Sequence, residues 1–333
     1  KSLQHGAFEF IEKPFDQERL LNFVKRAVEN FNLKKQNKEY ESKLFSSYEL
    51  IGNSKNIVNI IDQIKKISVT ESRVFISGPS GSGKELIARK IHKKSVRNKN
   101  PFIVLNGALL DINKYELELF GEEKENGSIS YGALEKANKG TLLIDQVSEI
   151  PLDIQSKILR VLTDQKFKRV NGANDVSVDV RLICSSSKDL KKEIEIGNFR
   201  EDLFHRINVF ELNIEPLNQR ISDIPLLIKY FSKKISENYK IKELDIDENN
   251  SYILNHNWHG NVRELRNLIE RIAILQPDSK DKISNIIKES LKNTNFDDQL
   301  AENSLSVPLK EAREKFEKEY LTIQLKKFNG NIS

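Results

Sequence analysis

A disulfide framework is excluded at the outset, because the chain of 333 residues contains one cysteine, Cys184. That usage fits a reducing compartment, so a cytoplasmic location is expected. Cys184 ends an apolar stretch, Val180 to Cys184, which makes it a buried and inert thiol. No apolar run approaches the roughly 18 residues of a membrane helix, and the first residues carry no signal-peptide pattern. The five histidines (His5, His92, His205, His256, His259) show no metal-ligand spacing with cysteine or acids. Charge of one sign is lacking too. The net value of +5 comes from 54 basic against 49 acidic residues, which permits contact with nucleic acid without arguing for it. Methionine is absent and position 1 is lysine, as expected for a piece of a longer protein. No internal repeat is visible.

What is present begins with one loop. An apolar strand, Val74 to Ile76, runs into Gly78-Pro-Ser-Gly-Ser-Gly-Lys-Glu85 and then an amphipathic helix with Leu86, Ile87 and Ile91 on one side. This is a G-x-x-x-x-G-K pattern between strand and helix. Its glycines let backbone N–H groups converge on one anion, the helix N-terminus adds partial positive charge, and Lys84 reaches outer phosphates. Glu85 stands where a serine or threonine normally binds magnesium.

Around the loop, elements alternate. A helix at 57–67, strands at 74–77, 102–105, 141–145, 178–184 and 209–214, and helices at 84–94 and 152–165 predict an α/β domain with a largely parallel sheet over 48–219. Helical patterns at 222–240, 247–257, 261–275 and 281–292 predict a separate helical subdomain over 220–292. Residues 1–29 read as strand, Lys13-Pro14 and helix, 30–47 as a charged helical linker, 293–307 as a polar linker, and 308–333 as a final helix.

Four stretches supply groups that nucleotide hydrolysis needs beyond the loop. Strand 141–145 ends in Asp145, a magnesium partner rather than a mere strand cap once the loop is beside it. The next residue, Gln146, can hydrogen-bond water but cannot accept its proton. Asn106 ends a strand, where it either faces the ligand crevice or simply makes the turn before Gly107. Phe199-Arg-Glu-Asp-Leu-Phe-His-Arg206 reads as a helix with Arg200 and Arg206 about two turns apart. They are either surface charge or groups reaching a neighbour's phosphate. Trp258-His-Gly-Asn-Val-Arg-Glu-Leu-Arg-Asn267 opens a helix in which Arg263 can point back at a phosphate, while Trp258 packs.

Taken together, seven stretches in order resemble the AAA+ domain of NtrC-type transcriptional activators over 48 to about 290. They are the loop, Glu118-Leu-Phe-Gly121, Gly140-Thr-Leu-Leu-Ile-Asp145, Gln155-Ser-Lys-Ile-Leu-Arg-Val-Leu162, Asp179-Val-Arg-Leu-Ile183, the 198–206 segment and the 258–265 segment. The resemblance implies a P-loop domain with a helical lid, preceded by the end of a receiver domain and followed by the start of a Fis-type DNA-binding domain. It implies that Gly78, Ser80, Gly81, Ser82, Gly83, Lys84 and Glu85 bind ATP and that Asp145 holds Mg2+. By the same resemblance, Asn106 senses the water-side carboxylate, Arg200 and Arg206 act in trans, and Arg263 is the lid sensor. Lys13 matches the receiver lysine that contacts a phosphorylated aspartate, which would lie upstream.

Three departures qualify this. The water-polarising glutamate is Gln146. The sensor strand ends Ser186-Ser187 rather than Thr-Asn. The loop that grips sigma-54 is replaced by the shorter Glu122-Glu-Lys-Glu-Asn-Gly-Ser-Ile-Ser-Tyr-Gly132, which looks like the NtrX branch. The expected protein is a response regulator that uses ATP as an assembly switch, with a sensor histidine kinase, DNA, RNA polymerase and copies of itself (dimer to ring) as partners. A sigma-54 contact is doubtful. The alternatives are a working ATPase that remodels sigma-54 holoenzyme and a scaffold that binds no nucleotide.

Overall fold

The computed structural model describes residues 49–110, 114–125, 127–277 and 279–291, with Val28 in isolation. The chain divides into two units, Lys1–Leu50 and Ile51–Ser333, and nearly everything described belongs to the second. The receiver end expected at 1–29 with Lys13, apart from Val28, the linkers expected at 30–47 and 293–307 and the Fis-type start expected at 308–333 lie outside the described residues.

Helix α1 (Lys55–Ser68) is followed by β1 (Val74–Ser77), α2 (Lys84–Lys94), β2 (Phe102–Asn106), α3 (Tyr115–Phe120) and the short pair β3 (Gly121–Glu123) and β4 (Ile129–Tyr131). Then come α4 (Ala133–Lys136), β5 (Thr141–Asp145), α5 (Leu152–Asp164), β6 (Lys166–Lys168), β7 (Asp175–Ser177), β8 (Arg181–Ser186), α6 (Leu190–Glu195), α7 (Glu201–Ile207) and β9 (Phe210–Asn213). The main sheet has the order β2-β5-β8-β1-β9, and every pairing in it is parallel. Its central strands are apolar because helices cover both faces; β8 is buried at all six positions. The chain moves from β1 to the far edge at β2 and returns through β5 and β8. The strand order reverses between β8 and β1, so the carboxyl ends of β1 and β8, with β5 next to them, border the ligand crevice expected of an open α/β sheet.

A second apolar core, built from Leu217 to Leu291, is separate from that of the sheet. It joins α8 (Ile224–Tyr239), α9 (Ser251–Leu254), α10 (Asn261–Leu275) and α11 (280–291). Trp258 is its centre, 1% exposed, with Nε1 donating to the Ile253 carbonyl at 2.9 Å.

Three sequence expectations are corrected. The strand expected at 178–184 begins at Arg181 and continues through Ser185 and Ser186, two serines that are wholly buried with bonded hydroxyls. The helix expected at 247–257 shrinks to α9, because the side chains of Asp247 and Asn250 cap turns at Asn249 and Tyr252. The helix expected from Phe199 starts at Glu201, with Arg200 at its N-cap.

A buried carboxylate ties the segment that precedes α1 to the turn that precedes α8. Asp223, wholly inaccessible, accepts from the backbone N–H groups of Asn53 and Ser54 at 2.7 Å each and from Ser54 Oγ at 2.8 Å. Arg220 Nη1 adds a fourth donor at 3.4 Å. Gly52 must be glycine here, since a Cβ would fall 2.6 Å from the Asp223 carboxyl group.

Candidate nucleotide site

The phosphate loop takes the shape its glycines allow. Gly78, Gly81 and Gly83 have φ of 145°, 75° and 108°, which side-chain-bearing residues rarely adopt. Lys84 starts α2, and its Nζ donates to the Gly78 and Pro79 carbonyls at 2.8 and 3.0 Å. Burial lowers its pKa, and Asp145 opposes that shift, so the two groups share one field. The Ser82 hydroxyl is buried without a partner among the described residues, an unmet donor that a phosphate oxygen would satisfy. Glu85 turns along the helix to pair with Arg89 at 2.7 Å.

Asp145 is held from both sides. Ser185 Oγ, from β8, donates to Oδ1, and Asn106 Nδ2, from β2, donates to Oδ2 at 3.3 Å. The Asn106 amide thus rests on Asp145, whereas the resemblance would put it on residue 146. Its own Oδ1 accepts from the Ala108 N–H at 2.9 Å, so it makes the turn as well. Gln146 sits in the left-handed region, φ 57° and ψ 54°, and its side chain is directed at Ser187. Glu149, the other acid near the strand end, is paired with Lys188 at 2.9 Å.

The lid meets the loop directly. Asn261 Nδ2 donates to the Ser80 carbonyl at 2.9 Å, while its Oδ1 accepts from the Leu217 N–H at 2.8 Å. The Arg263 N–H donates to the Gly81 carbonyl and its Nη1 to Ser80 Oγ, at 3.3 and 3.4 Å. A Cβ on Gly81 would come within 2.1 Å of the Gly260 carbonyl oxygen.

Arg200 and Arg206 lie along α5. The Arg200 backbone N–H donates to Gln155 Oε1 at 2.9 Å, and its guanidinium pairs with Asp202 at 2.6 Å. Arg206 donates to the Leu162 carbonyl at 3.0 Å, beside Arg73, which donates to the Arg206 carbonyl at 3.3 Å. Arg73 immediately precedes β1. Arg206 therefore lies at the amino end of the strand whose carboxyl end carries the phosphate loop, about 13 Å away for four residues at roughly 3.3 Å each. Such a group cannot serve its own chain's loop.

Strands β3 and β4, in the segment expected to stand in place of a gripping loop, form a short antiparallel hairpin that pairs Gly121 with Tyr131 and Glu123 with Ile129. Arg169 fastens it, with bonds of 2.7 Å to Glu123 and of 2.8 and 2.7 Å to both oxygens of Glu135. Backbone bonds between Glu123, Gly121 and Val170 add to this. Charge-assisted, partly buried bonds of this kind are the strong ones. Arg169→Ala is expected to speed amide hydrogen exchange across 121–131 about tenfold or more, with exchange in β1 and β8 unchanged.

Among the described residues, no group of three or more histidine, cysteine or acidic side chains could hold a metal by itself. Nor is any helix long and apolar enough to cross a membrane. Cys184 is buried, with its thiol pushed far above the usual range by burial, as its apolar strand predicts.

Residues 50–213 match the family model of the Sigma-54 interaction domain, and residues 218–303 that of the AAA+ ATPase lid domain. The nitrogen assimilation regulatory protein NtrX of Azorhizobium caulinodans is 40% identical over 343 residues, covering 100% of this chain and 74% of that protein. The chain belongs to the NtrX branch of the NtrC-type response regulators. A putative NtrX-like response regulator of Rickettsia felis is also 40% identical, over 100% of this chain and 72% of its own length. The crystal structure of NtrX from Brucella abortus in complex with ATP covers all of this chain and 74% of its own at 41% identity, with a TM-score of 0.71. The same protein in complex with ADP gives 0.74 at 40% identity.

Sequence reasoning singled out Ser187 as a departure without its bond to Gln146, and missed Ser185, Asn261 as a loop contact, Asp223 and Arg169. A polar residue inside a run of buried strand positions was the available signal for Ser185. The others are fixed by partners far away in the chain and leave no local mark.

Proposed function

We propose that this chain is the central part of a transcription regulator in which ATP, with Mg2+, binds at the phosphate loop and favours assembly, while hydrolysis is slow or absent. The observation that carries the reading is Gln146, an amide where a proton acceptor is needed, with its carbonyl oxygen already bonded to Ser187. The nearby acid that could substitute, Glu149, is paired with Lys188. The residues present fit a nucleoside triphosphate: loop amides, Lys84 and the unpartnered Ser82 hydroxyl would hold phosphates, and Asp145 would hold Mg2+. Complexes of the Brucella abortus relative with ATP and ADP support the same ligand class. Arg200 and Arg206 would meet the phosphates of a neighbouring copy, and Arg263 those of its own chain. A sensor histidine kinase, RNA polymerase and DNA complete the partners, with DNA read by a C-terminal domain.

The match to the Sigma-54 interaction domain favours a second reading, an ATPase that remodels sigma-54 holoenzyme. It needs a movable gripping loop, and the hairpin at 121–131 is short and clamped by Arg169.

Calorimetric titration with ATP and Mg2+ tests binding. Lys84→Ala is expected to weaken it by at least about tenfold, as loss of a charge-assisted phosphate contact predicts. No heat from the unaltered chain would establish a scaffold that binds no nucleotide. Turnover near one per second by the unaltered chain would sink the claim of slow hydrolysis.

A further inference from the structure

Arg206 is gripped at its backbone by a second arginine. Arg73, the residue before β1, is half-buried, whereas Arg206 is exposed. Arg73 Nη1 donates to the Arg206 carbonyl and its Nη2 to the Leu162 carbonyl, each at 3.3 Å. The Arg206 carbonyl lies in the last turn of α7, where helical N–H donors run out, and Arg73 supplies one. Arg206 Nη2 donates to the same Leu162 carbonyl at 3.0 Å. Two guanidinium groups thus converge on one oxygen in the last turn of α5. The carboxyl end of a helix offers roughly half a unit of negative charge, against two cations. Among the described residues neither guanidinium bonds a carboxylate. Burial and the neighbouring charge of Arg206 both push the Arg73 guanidinium below its usual pKa. The two cations repel each other, and an anion that reached Arg206 would be drawn by both.

We infer that Arg73 is a positioning residue for Arg206: it holds the turn that carries Arg206 and adds its own charge to the field met by the outermost phosphate of a neighbouring copy's nucleotide. Strand β1 begins just after Arg73 and ends at the phosphate loop. Its two ends therefore serve two different nucleotides, the chain's own through Lys84 and a neighbour's through Arg206. The inference rests on the contact between copies proposed above and adds to it a residue outside α7.

The test measures association of copies by sedimentation, with Mg2+ and either a non-hydrolysable ATP analogue or ADP. Arg73→Ala is expected to weaken association in the triphosphate about tenfold, the worth of a charge-assisted hydrogen bond. Association in ADP stays unchanged. Arg73→Lys, which keeps the charge and can still donate, recovers part of the loss. Affinity for the analogue in dilute protein is the same in all three, because Arg73 stands at the far end of β1 from its own loop. The decisive arm mixes Arg73→Ala with Lys84→Ala. One chain keeps an intact loop and the other an intact Arg73 and Arg206, so a head-to-tail pair has one complete site. The mixture is expected to associate about tenfold more tightly than either variant alone. Should Arg73→Ala fold poorly, Arg73→Gln, which keeps two donors without the charge, takes its place with the same expected direction. A mixture no better than its components, or equal weakening in ADP and in the triphosphate, would overturn the inference and leave the contact by Arg206 standing. Association of the unaltered chain that does not respond to the triphosphate overturns both.

Discussion

Gln146→Glu raises the rate of ATP hydrolysis by about a hundredfold or more, the usual worth of a placed general base. The exchange is nearly isosteric. One carboxylate oxygen keeps the bonds from the Ser187 N–H and hydroxyl. The other replaces the NH2 group and gains the capacity to take a proton from water. Nothing else in the site needs to move: Asp145 stays between Ser185 and Asn106, and Lys84 stays on the loop. The added negative charge also weakens triphosphate binding, so the measurement is single-turnover release of phosphate at saturating ATP with Mg2+. It is made over a range of protein concentrations, so that the contribution proposed for Arg200 and Arg206 from neighbouring copies is allowed for. A rate unchanged from that of the unaltered chain would show that residue 146 is not the missing group.

Asp223→Ala lowers the unfolding free energy by about 3–5 kcal/mol, because breaking a buried charge pair strands its partners. Four donors lose their acceptor: the N–H groups of Asn53 and Ser54, the Ser54 hydroxyl and Arg220. Arg220 is 2% exposed and has one nitrogen already without a partner among the described residues, so the variant buries a guanidinium that has lost its paired carboxylate and keeps only the Glu215 carbonyl bond and the field of the Glu215 side chain. At roughly 2–4 °C per kcal/mol for a domain of this size, the melting midpoint falls by about 10 °C. Calorimetry checks it. Asp223→Asn, which retains an acceptor oxygen, loses less. A midpoint within a degree of the unaltered chain would mean that water replaces the carboxylate and that the contact does not hold the segment before α1 to the turn before α8.

The parts of the fold legible in the sequence are those whose cause is local. The loop at 78–85 announces itself because glycine spacing, a preceding apolar strand and a following helix are all read within about 20 residues. Helix α10 is legible because Leu265, Leu268, Ile269 and Ile272 recur at helical spacing, and all are buried. The end of β8 was legible through the resemblance, which carried the strand to Ser186-Ser187, and not through the apolar pattern, which stopped at Cys184; only Asp145 and the Lys188 carbonyl make the burial of Ser185 and Ser186 tolerable. The hairpins β3–β4 and β6–β7, three residues per strand, are too short to show a period of two. Asp223 reads as an ordinary acid before a helix, since its partners lie about 170 positions away. At the site, the identity of Gln146 was plain, but the direction of its amide depended on a turn residue 41 positions further on, just past β8.

Where Gly81 faces Gly260, two stretches of bare backbone touch with no side chain between them, and Asn261 and Arg263 stitch across on either side. A seam of that kind has no slack. Side chains can swing and absorb a displacement; peptide planes packed edge to edge pass it on. Whatever reshapes the turn at Ser80 and Gly81 must shift the first turn of α10 by a similar amount, and α10 carries the apolar centre of its subdomain. The third and fourth residues of the loop are therefore the points at which loop and lid are held in one register.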